Sequence, residues 1–189
     1  MARLTVAGHD PSSKNWGIAG GTLDTDTGIV TIKTLRVVRA EALEGKQVRQ
    51  NSQDLRMALQ LYEGVTPFMA ASLNFAEIPQ GSQSARSSLC SGICIGVLGG
   101  LRAKSQFFEV TPNEVKLATV GSRTATKKQM IDWAVAKHPE APWPRKSKGE
   151  ILLGDAEHMA DAIGAIYAGL LTDQYKQLIQ FHKGTQTCN

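Results

Sequence analysis

The chain has 189 residues, and its 21 Lys and Arg against 17 Asp and Glu give a formal net charge of +4. This length suits one domain with a hydrophobic core and excludes two large lobes. A hydrophobic fraction of 42% excludes a disordered chain, and three cysteines, an odd number, argue against a disulfide framework and fit a reducing compartment.

The first 40 residues predict three strands in an antiparallel meander. Residues 4–8 are an apolar run that soon meets Asp10, as a buried strand does before a loop. Residues 16–23 form a second apolar run, residues 24–28 a polar turn, and residues 29–38 an alternating pattern. Short turns between consecutive strands favour antiparallel pairing.

The rest of the chain alternates between predicted helices and strands. Thr111-Pro112 is a strong helix start, because Thr caps helices and Pro suits the first helical position. Residues 139–154 contain three prolines and predict a surface loop. The other predicted elements are helices at 44–62, 82–101, 126–137 and 155–181, and strands at 71–78 and 107–110.

This order of elements predicts an α/β protein with a mixed five-stranded sheet, three antiparallel strands followed by parallel additions, flanked by helices. We expect one domain over residues 1–181 and a flexible tail over residues 182–189. No apolar stretch approaches the roughly 20 residues that span a bilayer, and the first residues lack the layout of a signal peptide. We therefore expect a cytoplasmic protein with no membrane partner.

Positive charge is concentrated in one segment of the chain. Residues 115–148 hold eight basic and two acidic residues, a local charge of +6 that leaves −2 for the remainder. A basic face on a nearly neutral body is what a phosphate-backbone binder needs. A solvated helix face followed by a flexible basic loop would explain the same composition.

Three acidic residues occupy positions where carboxylates are unusual. Asp10 and Glu77 each end a predicted strand, and Asp161 lies in an apolar helical stretch. A buried carboxylate is costly unless something compensates its charge, and hard oxygen ligands favour Mg²⁺ or Mn²⁺. Two such ions about 4 Å apart can promote hydrolysis of a phosphodiester. Separate turn caps or salt bridges would account for each acid singly.

The residues just before Asp161 add further candidates. His158 and Glu157 lie three and four positions earlier, so both can reach the same helix face. His158 could bind a metal or transfer protons near neutral pH. Glu157 and Asp155 could instead stabilise the helix N-terminus, and spacing alone leaves this choice open.

Four motifs in series resemble those of the RuvC-type Holliday junction resolvases, which belong to the RNase H-like superfamily. The sequence GHDPSSKNWG of residues 8–17 resembles the family's first strand and loop. The other three are FAE at 75–77, the stretch from VK at 115–116 to KKQM at 127–130, and HMADA at 158–162.

The resemblance implies an RNase H-like nuclease domain that forms a homodimer, with the helix at 82–101 near the interface. It implies resolution of Holliday junctions in DNA recombination and repair, with two Mg²⁺ ions per active site, Mn²⁺ able to substitute, and no nucleotide cofactor. The cell compartment would be a bacterial or phage-infected cytoplasm or an organellar matrix. The matching positions assign the metal ligands, which are also catalytic: Asp10, Glu77, His158 and Asp161. Lys116 and Lys127 match catalytic family lysines near the cleaved phosphate.

Further DNA contacts are expected from the loops beside the acids and from the basic segment. The sequence departs from the family where Ser12 replaces a usual glycine and Gln80 stands where an aromatic residue is usual, which also allows a broader debranching nuclease. The residues expected to contact DNA are Ser12, Ser13, Lys14, Gln80, Arg123, Lys128, Arg145, Lys146 and Lys148.

Two other classes of protein compete with this interpretation. Actin-like sugar kinases and ATPases also end their first strand with Asp, but they need two lobes to enclose a nucleotide and this chain builds one. A non-catalytic DNA-binding module would explain the basic segment, but it would leave four metal-capable side chains without a purpose.

Overall fold

The computed structural model describes residues 3–42, 49–80, 84–102 and 105–186. Within these residues five strands form one mixed sheet in the order β3-β2-β1-β4-β5. Consecutive pairing in the first three strands is antiparallel, whereas β4 runs parallel to β1 and β5 parallel to β4. The strands are β1 (Arg3–Asp10), β2 (Asn15–Asp24), β3 (Val30–Arg39), β4 (Leu73–Glu77) and β5 (Gln106–Val110). The predicted sheet, an antiparallel meander with parallel additions, is confirmed.

Six α-helices flank this sheet in the described part of the chain. They are α1 (Gln50–Val65), α2 (Ala85–Arg102), α3 (Pro112–Thr119), α4 (Lys127–Lys137), α5 (Leu153–Gly169) and α6 (Asp173–Gln186). A short 3₁₀ helix at Thr66–Ala70 precedes β4 and was not predicted. Residues 44–48 and 82–83, the predicted starts of the first two helices, lie outside the described residues.

The predicted starts of α3 and α4 are confirmed by their hydrogen bonds. Thr111 Oγ1 accepts a hydrogen bond from the backbone N–H of Glu114, whose carboxylate accepts one from the N–H of Thr111. Thr126 and Gln129 form the same reciprocal pair at the start of α4. Each pair satisfies two backbone donors that a helix N-terminus would otherwise leave unpaired.

The two faces of the sheet bury separate hydrophobic clusters. On one face, α5 packs Ile163 against Val6 and Phe75. On the other face, α1 and α2 cover a cluster that includes Ile18 and Leu98. Because the side chains of a strand alternate between faces, each residue at the end of β1 or β4 is directed toward one of these layers.

The single helical region predicted at 155–181 is wrong, because α5 and α6 are separate helices. The first helix ends at Gly169, where a β-carbon would lie 2.0 Å from the Phe75 ring. Thr172 then accepts a hydrogen bond from the backbone N–H of Tyr175 and caps the next helix. The second helix continues to Gln186, into the segment predicted as a tail, and residues 187–189 lie outside the described residues.

The surface loop predicted at 139–154 is also only partly correct. Ala141 and Trp143 are buried in the main cluster, and the Trp143 indole donates a hydrogen bond to the carbonyl of His138. Beyond them, Arg145 and Ile151 pair as an antiparallel bridge and close a small exposed hairpin. The prolines therefore shape a connection that is anchored by its aromatic residue.

Among the described helices, none is long and apolar enough to cross a membrane.

Candidate active site

Two of the predicted carboxylates lie at the same end of the sheet. Asp10 is the last residue of β1 and Glu77 is the last residue of β4. These strands are parallel neighbours, with His9 opposite Ala76, so both carboxyl ends meet at one edge. This edge is where open α/β sheets bind their ligands.

Helix α5 brings the remaining candidates to this edge because two glycines let it approach the sheet closely. A β-carbon at Gly8 would lie 2.0 Å from the carbonyl oxygen of Ala162, and one at Gly17 would lie 2.1 Å from that of His158. Real β-carbons essentially never come under 3.0 Å. Any larger residue would push the helix away, and His158 and Asp161 with it.

His158 contacts Asp10 directly. Its Nδ1 lies 2.8 Å from Asp10 Oδ2, and only 21% and 14% of the two side chains are exposed. The hydrogen bond to Asp10 raises the pKa of the imidazole. Burial raises the pKa of Asp10, although the imidazole acts in the opposite direction. The hydrogen bond therefore joins two partly buried groups, each of whose pKa values is raised.

Glu77 and Asp161 are carboxylates whose charge is poorly compensated. Burial, followed by the charges of Asp10 and Asp161, raises the pKa of Glu77 to about 8. Burial, followed by Asp10 and Glu157, raises the pKa of Asp161 to about 7. Lys116 lowers both values but does not cancel these effects. Such a group of partly buried carboxylates with raised pKa values is characteristic of a functional site rather than of a stable core.

A cavity of about 200 Å³ opens beside these acids. Its walls combine carboxylates with two lysines, and Val115, Ala125 and Met130 supply the apolar part. The charged residues that line it are Glu77, Lys116, Lys127, Glu157 and Asp161. Both predicted catalytic lysines therefore reach the same space as two of the predicted metal ligands.

These side chains have the chemistry of a divalent-cation site, because three partly buried carboxylates disfavour one another's charge and hard oxygen ligands suit Mg²⁺. Within the described residues, however, no three His, Cys, Asp or Glu side chains are arranged to hold one ion together. Asp10 contacts His158, and Glu157 forms an ion pair of 2.6 Å with Lys127. Metal binding thus requires these side chains to exchange partners.

The structure gives different surroundings to Asp155 and Glu157, the two acids whose roles the sequence spacing left open. Asp155 forms an ion pair of 2.5 Å with Arg39 at the end of β3 and does not line the cavity. Glu157 lines the cavity and holds Lys127. The role of Arg39 had no signal in the sequence, because it depends on where β3 ends relative to α5.

The residues predicted to contact DNA are distributed over the surface around this edge. Ser12 and Ser13 line a second pocket, and Lys14, Gln80 and Arg123 are exposed. Lys128 pairs with Asp132 and does not line the cavity. Three more lie on the exposed hairpin, where Arg145 donates to the carbonyl of Gly149, Lys146 pairs with Glu150 and Lys148 lies between them.

No protein-family model matches the chain, and no curated protein matches it. Several solved structures match the chain. The Thermus thermophilus RuvC structure in complex with a Holliday junction substrate is 18% identical, with a TM-score of 0.61 over 87% of this chain and 92% of that one. The yeast mitochondrial Holliday junction resolvase Ydc2 is 13% identical, with a TM-score of 0.63 over 95% and 82%.

A viral structure gives the same likeness. The fowlpox virus resolvase in complex with its substrate Holliday junction DNA is 14% identical, with a TM-score of 0.54 over 89% of this chain and 99% of that one. At these identities the likeness concerns the fold. The predicted RNase H-like fold of the RuvC type is therefore confirmed.

Proposed function

We propose that this chain, which has the RuvC-type fold, is a metal-dependent endonuclease that resolves four-way DNA junctions by paired, symmetric nicks. The observation that carries the proposal is the group of partly buried carboxylates at the ends of β1 and β4 and on α5, beside a cavity that Lys116 and Lys127 also line. Structures of similar fold that contain Holliday junction DNA support the choice of substrate.

Each part of the site has a task in such a reaction. Asp10, Glu77, His158 and Asp161 would hold the metal. Bound divalent ions would supply Lewis-acid activation of water and of the phosphodiester. Lys116 and Lys127 reach the cavity from α3 and α4 and would neutralise the phosphate whose bond is broken.

Incubation with labelled DNA tests the proposal. We expect the protein with Mg²⁺ to cut a four-way junction and to leave a linear duplex of the same sequence intact. Equal cutting of four-way and Y-shaped DNA would favour a broader debranching nuclease. If all substrates stayed intact while the junction was still bound in a gel shift, the protein would be a binding module and the proposal would be wrong.

Metal binding can be measured without reference to cleavage. We expect Mg²⁺ at about 100 times its dissociation constant to raise the melting temperature by about 5 to 10 °C. Glu77→Gln should lose this shift because it removes one charged ligand. In the absence of metal, the variant should melt no lower than the wild type, since burial and the neighbouring acids already disfavour a charge at Glu77 and the Gln amide carries none.

The exposed acid Glu63 on α1 provides the matched control for this measurement. Glu63→Gln should retain the full Mg²⁺-dependent shift in differential scanning fluorimetry. An undiminished shift in Glu77→Gln would show that Glu77 is not a ligand.

Paired nicks need two active sites, and α2 offers a surface for a second copy of the chain. One face of α2 carries four residues at helical spacing, three of them glycines: Leu89, Gly92, Gly96 and Gly99. Leu89 is 47% exposed, and a β-carbon at any of the three glycines would have nothing within 4 Å. Small residues let two helices approach closely. We therefore propose that two copies of the chain meet at this face.

Gly96→Glu tests the interface without endangering the helix, because Glu is a better helix former than Gly by roughly 0.5 to 1 kcal/mol. We expect the variant to be a monomer in light scattering and to give single nicks in place of paired cuts. Gly154→Glu is the control, since Gly154 is another helical glycine with no atom near its β-position. A dimeric Gly96→Glu protein would exclude this face as the interface.

A further inference from the structure

One charged residue of the cavity has no role in the proposed reaction: Glu157 on α5. Its carboxylate oxygen lies 2.6 Å from the Nζ of Lys127, which is the first residue of α4. The proposed function assigns Lys127 to the phosphate whose bond is broken. In the protein without DNA, the positive charge assigned to that phosphate is therefore already paired with a carboxylate of the same chain.

We propose that Glu157 takes the place of the DNA phosphate beside Lys127 until the substrate binds, so that it competes with DNA for this lysine and lowers the affinity for the junction. The inference rests on the proposed function, since it requires a phosphodiester to enter the cavity. Glu157 is then a positioning residue, because it acts on the substrate through Lys127 and does not contact the reacting atoms.

A carboxylate and a phosphodiester are equivalent partners for a lysine. Each carries one negative charge on its oxygen atoms, and each accepts charge-assisted hydrogen bonds from an ammonium group. The ammonium has three hydrogens, but a phosphate that joined it while Glu157 stayed in place would bring two negative charges within a few ångströms of each other. The phosphate therefore displaces the carboxylate from Lys127.

The exposure of the two side chains allows this exchange. The side chain of Lys127 is 78% exposed, whereas that of Glu157 is 24% exposed. The lysine can therefore turn toward a phosphate at the mouth of the cavity while the carboxylate stays near the wall. Lys116 also lines the cavity, but among the ion pairs of the described residues none involves it. Of these two lysines, Lys127 is the one that must be released before it binds DNA.

The stability of the fold gives only a weak reason for this ion pair. Helices α4 and α5 already meet through apolar side chains, since Ile131 and Ile163 belong to one buried cluster. An ion pair with a largely exposed lysine adds little to stability. Glu157 also brings a further negative charge to a crowded group of acids: in addition to burial, its charge raises the pKa of Asp10 and of Asp161. A role in substrate binding explains why an acid stands at this position.

Junction binding in EDTA tests the inference with Glu157→Gln, which keeps the size of the side chain and removes its charge. We expect this variant to bind a four-way junction about two- to fivefold more tightly than the wild type, because an exposed ion pair that opposed binding is gone. The double variant Glu157→Gln/Lys127→Gln should lose the gain. In cleavage with Mg²⁺, the gain should appear as a lower KM and not in kcat.

Asp132→Asn is the matched control. Asp132 pairs at 2.5 Å with the next lysine of α4, Lys128, and neither residue lines the cavity. Like Glu157→Gln, this change removes one acid and releases one lysine, so it measures the general effect of net charge on DNA binding. We expect it to change the junction affinity by less than Glu157→Gln does at the same salt concentration, and all the variants to melt within a few degrees of the wild type. An equal gain in both single variants would overturn the inference.

A second measurement reports on Lys127 itself. In NMR spectra of ¹⁵N-labelled protein in EDTA, the Nζ resonance of Lys127, assigned by its absence in Lys127→Gln, should shift in Glu157→Gln. The wild-type resonance should also shift when the junction is added, because the ammonium group leaves the carboxylate.

Three results would each overturn the inference: a wild-type Lys127 resonance that does not move on junction binding, a junction affinity of Glu157→Gln no higher than that of the wild type, or a lower kcat of this variant. Failure of the wild type to cut any branched DNA that it binds would instead overturn the proposed function. The measurements in EDTA would still decide whether Glu157 competes with DNA for Lys127.

Discussion

Asp10→Asn should reduce cleavage of branched DNA by about a thousandfold or more and leave junction binding intact. Asp10 ends the strand at the centre of the carboxylate group and contacts His158 at 2.8 Å. The substitution removes the charge of a proposed metal ligand, and the Lewis-acid contribution of a bound metal amounts to several kcal/mol of transition-state stabilisation. The amide keeps the shape of the side chain and can still accept the hydrogen bond from His158, so the fold should persist.

Binding should not weaken, because the change removes a negative charge from the surface that we propose meets the phosphate backbone. A gel shift without metal and a cleavage time course with Mg²⁺ measure the two effects on one protein preparation. Asp173→Asn, at a 91% exposed side chain on α6, is the control and should cut at the wild-type rate. If Asp10→Asn cut DNA at the wild-type rate, Asp10 would not be a residue of the active site.

Gly17→Ala should destabilise the protein by about 3 kcal/mol and lower its melting temperature by about 10 °C. The new methyl group would lie 2.1 Å from the carbonyl oxygen of His158 and 2.9 Å from its β-carbon. Neither atom belongs to the far end of a flexible side chain, so the backbone of α5 must shift. Because the shift begins at His158, we also expect cleavage to fall at temperatures where the variant is still folded.

Gly20→Ala, on the same strand, is the control for Gly17→Ala. It distinguishes the steric clash with α5 from the general effect of replacing a glycine in β2. Its β-carbon would lie 3.5 Å from Thr34, which is an ordinary contact. We expect this control to melt within a few degrees of the wild type in thermal denaturation followed by circular dichroism. Equal melting temperatures for the two variants would show that α5 does not depend on the glycine contact.

The sequence predicts the elements whose signals are local. Thr111 and Thr126 each form a capping box with a residue three positions later, a pattern that marks the start of a helix. The alternation of apolar and polar residues after residue 29 identifies β3. The break between α5 and α6 was not predicted, although Thr172 caps α6 and is a local signal of the same kind. The burial of Trp143 was missed because it depends on packing against residues that are distant in sequence.

For the candidate site too, some features could be predicted from the sequence and others could not. The placement of Asp10 and Glu77 at neighbouring strand ends could be predicted, because it follows from strand order and from the direction of the parallel pair. The contacts between the side chains of the site could not be predicted from the sequence. Whether Lys127 pairs with Glu157, or Asp155 with Arg39, is decided by rotamers and by the distance between α5 and its neighbours. Motif spacing carries no information on either.

The parallel pairing of β1 with β4 also determines when the proposed active site can form during synthesis. Asp10 and Glu77 come together only after a crossover that includes β2, β3 and α1, and Asp161 follows much later in the chain. Contacts between residues so distant in sequence form late, because the loop entropy must be overcome first. A nascent chain that has completed only the antiparallel meander therefore holds one of the three acids. The proposed active site is complete only when α5 docks on the finished sheet.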